Sequence, residues 1–156
     1  MSNAYKSTSV PISRSQEQIR KLLIVSDVRG VQFSENFDSG EINVRFAKDI
    51  AGNIRTVSVS MHVPEPPKPK RRRTRYANKS EVERREQMTK ATYRALHDWL
   101  KSQFVAVEFG LLTFEDVFLS HFEWLLNTGE KTTIGAMIKP CLETSTELMI
   151  DTPRNS

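Results

Sequence analysis

Val57-Ser58-Val59-Ser60-Met61-His62-Val63 alternates apolar and polar side chains without a break, and this stretch decides the fold. A period of two puts Val57, Val59, Met61 and Val63 on one face of a strand and Ser58, Ser60 and His62 on the other. The same period runs upstream. Ile42, Val44 and Phe46 alternate with Asn43 and Arg45, and Val31, Phe33 and Phe37 alternate with Gln32, Ser34 and Asn36. Asp38-Ser39-Gly40 and the Gly52-containing stretch from Asp49 to Asn53 read as the two turns, with Gly40 supplying a left-handed position. Three strands with one apolar face form an antiparallel meander that needs cover. The nearest cover is a helix upstream, capped by Ser13 or Ser15 and running to about Val25, with Ile19, Leu22 and Leu23 on one side.

Downstream the pattern changes. Pro64, Pro66, Pro67 and Pro69 end the sheet and hold the chain extended. Ser80 with Glu83 makes a capping box, and a long helix to about Phe109 follows, stopped by Gly110. Its first two turns are nearly all polar, so they project from the core or lie along its surface. An apolar stripe of Met88, Ala91, Ala95, Trp99, Phe104 and Val107 then holds helical spacing. Thr113 with Asp116 opens a second long helix carrying Phe114, Val117, Phe118, Phe122 and Leu125, ending near Asn127-Thr128-Gly129. Trp99 and Trp124 are expected to pack between these two helices. Thr133 to Lys139 reads as a short helix stopped by Pro140, and Leu148-Met149-Ile150 as an edge strand or a last packed turn. The expected class is α+β. Residues 5–63 form a helix-plus-sheet subdomain, 64–79 a basic proline-rich linker and 80–150 a helical region; residues 1–4 read as a cloning remnant.

The charge is uneven. Residues 1–67 carry a net +1, residues 68–94 a net +8 and residues 95–156 a net −5, within a total of +4 over 156 residues. Lys68, Lys70, Arg71, Arg72, Arg73 and Arg75 occupy six of eight consecutive positions with no acid among them. Cations this dense repel one another unless a polyanion neutralises them, and nucleic acid is the commonest polyanion. Lys79, Arg84, Arg85, Lys90 and Arg94 extend the expected interface into the long helix, where Lys90, Arg94, His97 and Lys101 fall on one stripe opposite the apolar one. Tyr76 could stack on a base or ribose. Six phosphate contacts would give a salt slope of roughly five. The cluster offers charge and no arranged donors for base edges, so binding without sequence preference is expected. Pro67-Lys68-Pro69-Lys70-Arg71-Arg72-Arg73 would also serve as a nuclear-import signal in a eukaryotic host.

Nothing in the chain reads as a reaction centre. His62, His97 and His121 have neither a second histidine nor a cysteine at ligand spacing, so no metal is expected. His121, beside Phe118 and Leu125, reads as an interior histidine. Cys141 reads as an apolar filler and excludes an internal disulfide. Glu115-Asp116 suits the first turn of a helix, where carboxylates favour the dipole. The six glycines are scattered and form no phosphate loop. No enzyme and no cofactor are expected. No run approaches the roughly 18 apolar residues of a membrane span, so a soluble, intracellular protein without membrane contact is expected.

Two resemblances carry further expectations. The helix–strand–strand–strand–helix order over residues 14–109 resembles double-stranded-RNA-binding domains, in which a basic helix terminus meets phosphates across a groove. That family's glycine-and-lysine motif is replaced here by prolines and Arg71-Arg72-Arg73. Tyr93-Arg94-Ala95-Leu96, Phe104 to Gly110, Thr113-Phe114-Glu115-Asp116, Phe118-Leu119 and Thr132-Thr133-Ile134-Gly135 through Lys139-Pro140 resemble a segment of uncharacterised bacteriophage and prophage proteins. This second resemblance covers residues 90–140. It implies a phage-encoded accessory protein in the bacterial cytoplasm and assigns no functional residue. The alternative function is a protein-interaction module, either an inhibitor of a host enzyme or a subunit of a larger complex that could contain nucleic acid.

Overall fold

The computed structural model describes residues 5–67 and 80–144, and the class is α+β. Most of the expected basic linker, including the whole basic run Lys68–Arg75, Tyr76 and Lys79, lies outside the described residues, as do residues 1–4 and Leu148-Met149-Ile150.

Helix α1 spans Ile12–Val25 and is followed by β1 Gly30–Asn36, β2 Glu41–Ile50 and β3 Asn53–His62. The strands form one antiparallel sheet in the order β1-β2-β3. Its turns are those the sequence implies: Gly40 sits at φ 67° and Gly52 at φ 83°. The Gly52 N–H donates to Asp49 Oδ1 at 2.9 Å. Phe37 differs from expectation. β1 stops at Asn36, whose Oδ1 accepts from the N–H groups of Asp38 and Ser39, and Phe37 stands in the turn, 81% exposed. The start of α1 also differs. Pro11 precedes the first residue with φ −62° and ψ 152°, and no side chain caps the helix. Ser15 lies inside the first turns with its Oγ buried and unpartnered among the described residues.

Helix α2, Glu81–Glu108, begins with the expected capping box, Ser80 Oγ accepting from the Glu83 N–H and Glu83 Oε2 from the Ser80 N–H. Its buried arc is Met88, Ala91, Thr92, Tyr93, Leu96, His97, Leu100 and Phe104. Ala95, Trp99 and Val107 are only partly covered. The arc is turned and widened relative to expectation because α2 packs on the sheet and on α1 at once, so residues on both flanks are enclosed. Core contacts join Phe46 of the sheet to Phe104 of α2, with Ile19 and Leu23 of α1 in the same cluster.

The second long helix is absent. In its place α3, Phe114–Phe118, runs into a 3₁₀ turn at Leu119–His121 and then into a hairpin of β4 Glu123–Leu125 and β5 Lys131–Thr133. The Thr113–Asp116 capping box is present, but Phe122 adopts extended backbone at φ −63°, ψ 132° and bridges to Val57 on the edge of β3. A ladder partner outweighs the apolar spacing that suggested a continued helix. Trp99 packs edge-on against Phe118, centroids 6.0 Å apart, whereas Trp124 is 54% exposed on β4 and joins no helix pair.

Helix α4 spans Ile134–Glu143 and contains Pro140 rather than ending at it. Proline removes one N–H and crowds the carbonyl four residues back; that residue, Ala136, is exposed, so water can serve the released carbonyl. α4 sits close to the 3₁₀ turn through Gly135, where an added Cβ would lie 2.8 Å from the Ser120 carbonyl oxygen. Alanine is normally favoured over glycine in a helix by about 1 kcal/mol, but here the overlap is with backbone that cannot swing aside. Gly135→Ala should therefore destabilise by roughly 1–3 kcal/mol in urea denaturation; a stabilised variant would show that α4 does not hold this contact.

Candidate nucleic-acid interface

The basic run is bounded by two well-defined anchors. β3 delivers the chain to Pro64–Pro67 after the Val63 N–H donates to Gly40 O at 2.7 Å, and the chain resumes at the capped start of α2. Pro64 and Pro66 line one side of a cleft of about 190 Å³ and Arg85 and Thr89 line another, so departure and return flank the same hollow. Its surroundings are acidic: Glu35, Glu41 and Glu65 border it, and Glu81 and Glu86 border the adjoining hollow.

Among the four expected interface residues of α2, Arg84 is partly covered and engaged, and Arg85 is exposed and in no ion pair among the described residues. Lys90 and Arg94 hold partners inside the fold. Lys90 Nζ lies 2.9 Å from Glu86 Oε1 and is 28% exposed. Arg94 donates to Gln18 Oε1 at 2.8 Å and lies 3.5 Å from Asp98, with 29% exposure. His97, expected on the same solvent stripe, is buried, its Nδ1 2.7 Å from Asp98 Oδ1. Only Lys101 of that stripe is open. The expected stripe is thus broken after Arg85, because the wide buried arc of α2 takes in the flank on which it lies.

Asp98 is the centre of this cluster. Burial works against its ionisation, but hydrogen bonds from His97 and Tyr5 and the nearby Arg94 guanidinium prevail and hold its carboxyl below the usual range. The hydrogen bond to Asp98 in turn raises the Tyr5 hydroxyl. The spacing of Arg94 and Asp98, four apart on a helix, was a readable sign of pairing; Tyr5 and Gln18 are too distant in sequence to give one.

The outward face of the sheet is a lattice of satisfied polar groups. Asn43 Nδ2 donates to Ser58 Oγ at 2.9 Å and to Ser60 Oγ at 2.8 Å. Arg45 forms a two-point pair with Glu123, at 2.5 and 2.7 Å, 78 residues away, and this bond raises the guanidinium further above its ordinary value. Phe33 and Phe46 face the other way, into the core cluster. Among the described residues the face has no free guanidinium and no aromatic platform for a base.

His121 stands edge-on to Trp99, centroids 5.4 Å apart. Burial lowers its pKa, partly opposed by a hydrogen bond with the Ser58 backbone. An imidazole depressed in the folded state binds fewer protons there than in the unfolded chain, so its contribution is full above the unfolded value near 6.5 and is lost as pH falls below it. Thermal melts should show stability declining from about pH 7 to pH 5, and His121→Gln should flatten that part of the profile. An equal decline in both proteins would contradict the assignment.

Among the described residues no group of three or more His, Cys, Asp or Glu side chains is placed to hold a metal ion, and no helix is long and apolar enough to cross a membrane. Comparison with family models, with curated proteins and with solved structures gives no match.

Proposed function

We propose that this chain is a small, non-enzymatic accessory protein that binds nucleic acid without sequence preference. One observation carries the reading: seven of the twelve residues from Lys68 to Lys79 are basic and none is acidic. The carboxylates at both anchors repel phosphate, which confines contact to Lys68, Lys70, Arg71, Arg72, Arg73, Arg75 and Lys79, with Arg85 as the nearest helical addition. Lys90 and Arg94 contribute less, since each would first have to leave its partner. The resemblance over residues 90–140 supports a phage origin and hence the cytoplasm of a bacterial host. Labelled DNA and RNA should bind the wild-type chain, and protein purified at low salt should carry nucleic acid that a high-salt wash removes, seen in its ultraviolet absorbance ratio. Equal affinity in Arg71→Ala/Arg72→Ala/Arg73→Ala would remove the reading.

A second reading, a protein-interaction module, has its own support. Of the fifteen exposed large apolar residues among those described, nine lie between Phe109 and Leu142, and α4 buries none of its residues. Apolar surface gathered in one part of a chain marks a contact for another macromolecule. A host protein retained stoichiometrically after nuclease treatment supports this reading; loss of all bound material supports the first.

A further inference from the structure

At the end of the sheet farthest from the basic run, the strand pairings line up one row of side chains. Lys48 of β2 pairs with Arg55 of β3. Val57 of β3 bridges to Phe122, and Trp124 pairs with Thr132 of β5. Counting on from the bridge in antiparallel order brings Trp124 level with Arg55. Both lie on the side of the sheet that carries the helices. Glu123 reaches Arg45 on the outward face, so alternation turns Phe122 and Trp124 the other way. The Phe122 ring does meet Phe114 there, centroids 6.2 Å apart. Lys48 marks the same side, its Nζ donating to Ser26 O at 2.8 Å and lying 5.4 Å from the centre of the Phe114 ring.

Two properties set this row apart. The bridge at Phe122 is single, so β3 and β4 part beyond it, and the Trp124 indole stands 54% exposed. The row is also basic. Arg55 is exposed and in no ion pair among the described residues. β3 carries no acidic residue, and Glu123, the one acid of β4, is held by Arg45. Asp49 lies on the outward face, beside Arg29. The carboxylates that border the basic run, Glu41 and Glu65 among them, lie at the opposite end of β3. Lys48, Arg55, Trp124 and Thr132 thus present two cations and a ring with no carboxylate among them.

We infer that Trp124 and Arg55 form a second nucleic-acid contact, one that takes single strands: a base stacks on the indole and the adjoining phosphate meets the guanidinium. An open aromatic face beside a cation holds single strands without regard to sequence, because every base has a π-face. A duplex keeps its base faces inside the stack and offers this platform none. The inference rests on the nucleic-acid reading above and narrows the ligand at this site to single-stranded DNA or RNA. The basic run leaves the sheet after Val63, about 26 Å from Arg55 at roughly 3.3 Å per residue. A strand that reaches both therefore needs on the order of eight stacked nucleotides. The run supplies charge and the platform supplies stacking.

Two readouts on the intact chain test the platform apart from the run. One is the anisotropy of a labelled oligothymidylate of about twenty nucleotides, ample for that span; the other is the tryptophan emission of the protein. The oligothymidylate should bind and quench the emission, and a duplex of equal length should bind with little quenching. Trp124→Ala should lose the quench and keep the emission of Trp99, which is partly buried against Phe118 and His121. It should weaken single-strand binding about tenfold and leave duplex affinity unchanged. Arg55→Ala should weaken single-strand binding severalfold and lower its salt slope by a little under one. If Trp124→Ala fails to fold, the wild-type quench decides by itself. An oligothymidylate that binds by anisotropy without quenching, or equally well to Trp124→Ala, overturns the platform and leaves the basic run standing. No binding by anisotropy at low salt removes the nucleic-acid reading and the platform with it.

Discussion

Phe118→Ala should cost about 3–5 kcal/mol of folding stability, the range for removing a fully buried aromatic ring. Phe118 is completely enclosed, and its ring centroid lies 4.8 Å from Phe114, 5.4 Å from Phe46, 5.5 Å from Phe104 and 6.0 Å from Trp99. It is the point at which the sheet, α2 and α3 meet. Its truncation opens a cavity among rings that cannot close over it, because Phe46 is fixed by the sheet ladder and Phe104 by α2. For a domain whose total stability is roughly 5–15 kcal/mol, the variant should be largely unfolded at modest urea. Trp124→Ala, on the exposed face of the hairpin, should change stability by less than about 1 kcal/mol. Equal effects at the two sites, read from urea midpoints with unchanged slopes, would mean that α3 does not pack as described.

The second large effect concerns binding. If the segment from Lys68 to Arg75 meets six phosphates, each contact releases condensed counterions and contributes separately to the salt dependence. Removing Arg71, Arg72 and Arg73 together should lower affinity on the order of a hundredfold at 0.1 M salt. Because these contacts read no base edges, the loss should be similar for unrelated sequences of equal length and strandedness. Lys90→Ala and Arg94→Ala provide the contrast. Both side chains are partnered within α2 and α1, so their removal should cost stability more than affinity.

Some of this molecule is written locally and some is not. The sheet is legible because alternation, Gly40 and Gly52 all require the same backbone. Both capping boxes are legible because Ser80–Glu83 and Thr113–Asp116 satisfy their own helix ends without outside help. The hairpin after Phe118 is hidden because Phe114, Val117, Phe118, Phe122 and Leu125 happen to suit helical spacing. What turns Phe122 into extended chain is Val57, 65 positions earlier. The orientation of α2 is hidden for a related reason. Tyr93 donates to Glu35 at 2.8 Å across 58 residues, and burial together with this bond raises its hydroxyl well above the usual range. No local pattern distinguishes that tyrosine from a surface one. The charge of Lys68–Lys79 is legible outright. That Lys90, Arg94 and His97 are withdrawn from it follows from Glu86, Gln18 and Asp98: the four-residue spacings Glu86–Lys90 and Arg94–Asp98 are readable on a helix, whereas Gln18 lies 76 positions from Arg94.

The most direct test of the account is the dependence of the binding constant on salt for a short duplex, measured for the wild type and for Arg71→Ala/Arg72→Ala/Arg73→Ala. The account predicts a logarithmic slope of about −5 for the wild type and about −3 for the variant, as expected for six and three phosphate contacts. Binding that is absent at low salt, or slopes that coincide in the two proteins, would contradict it.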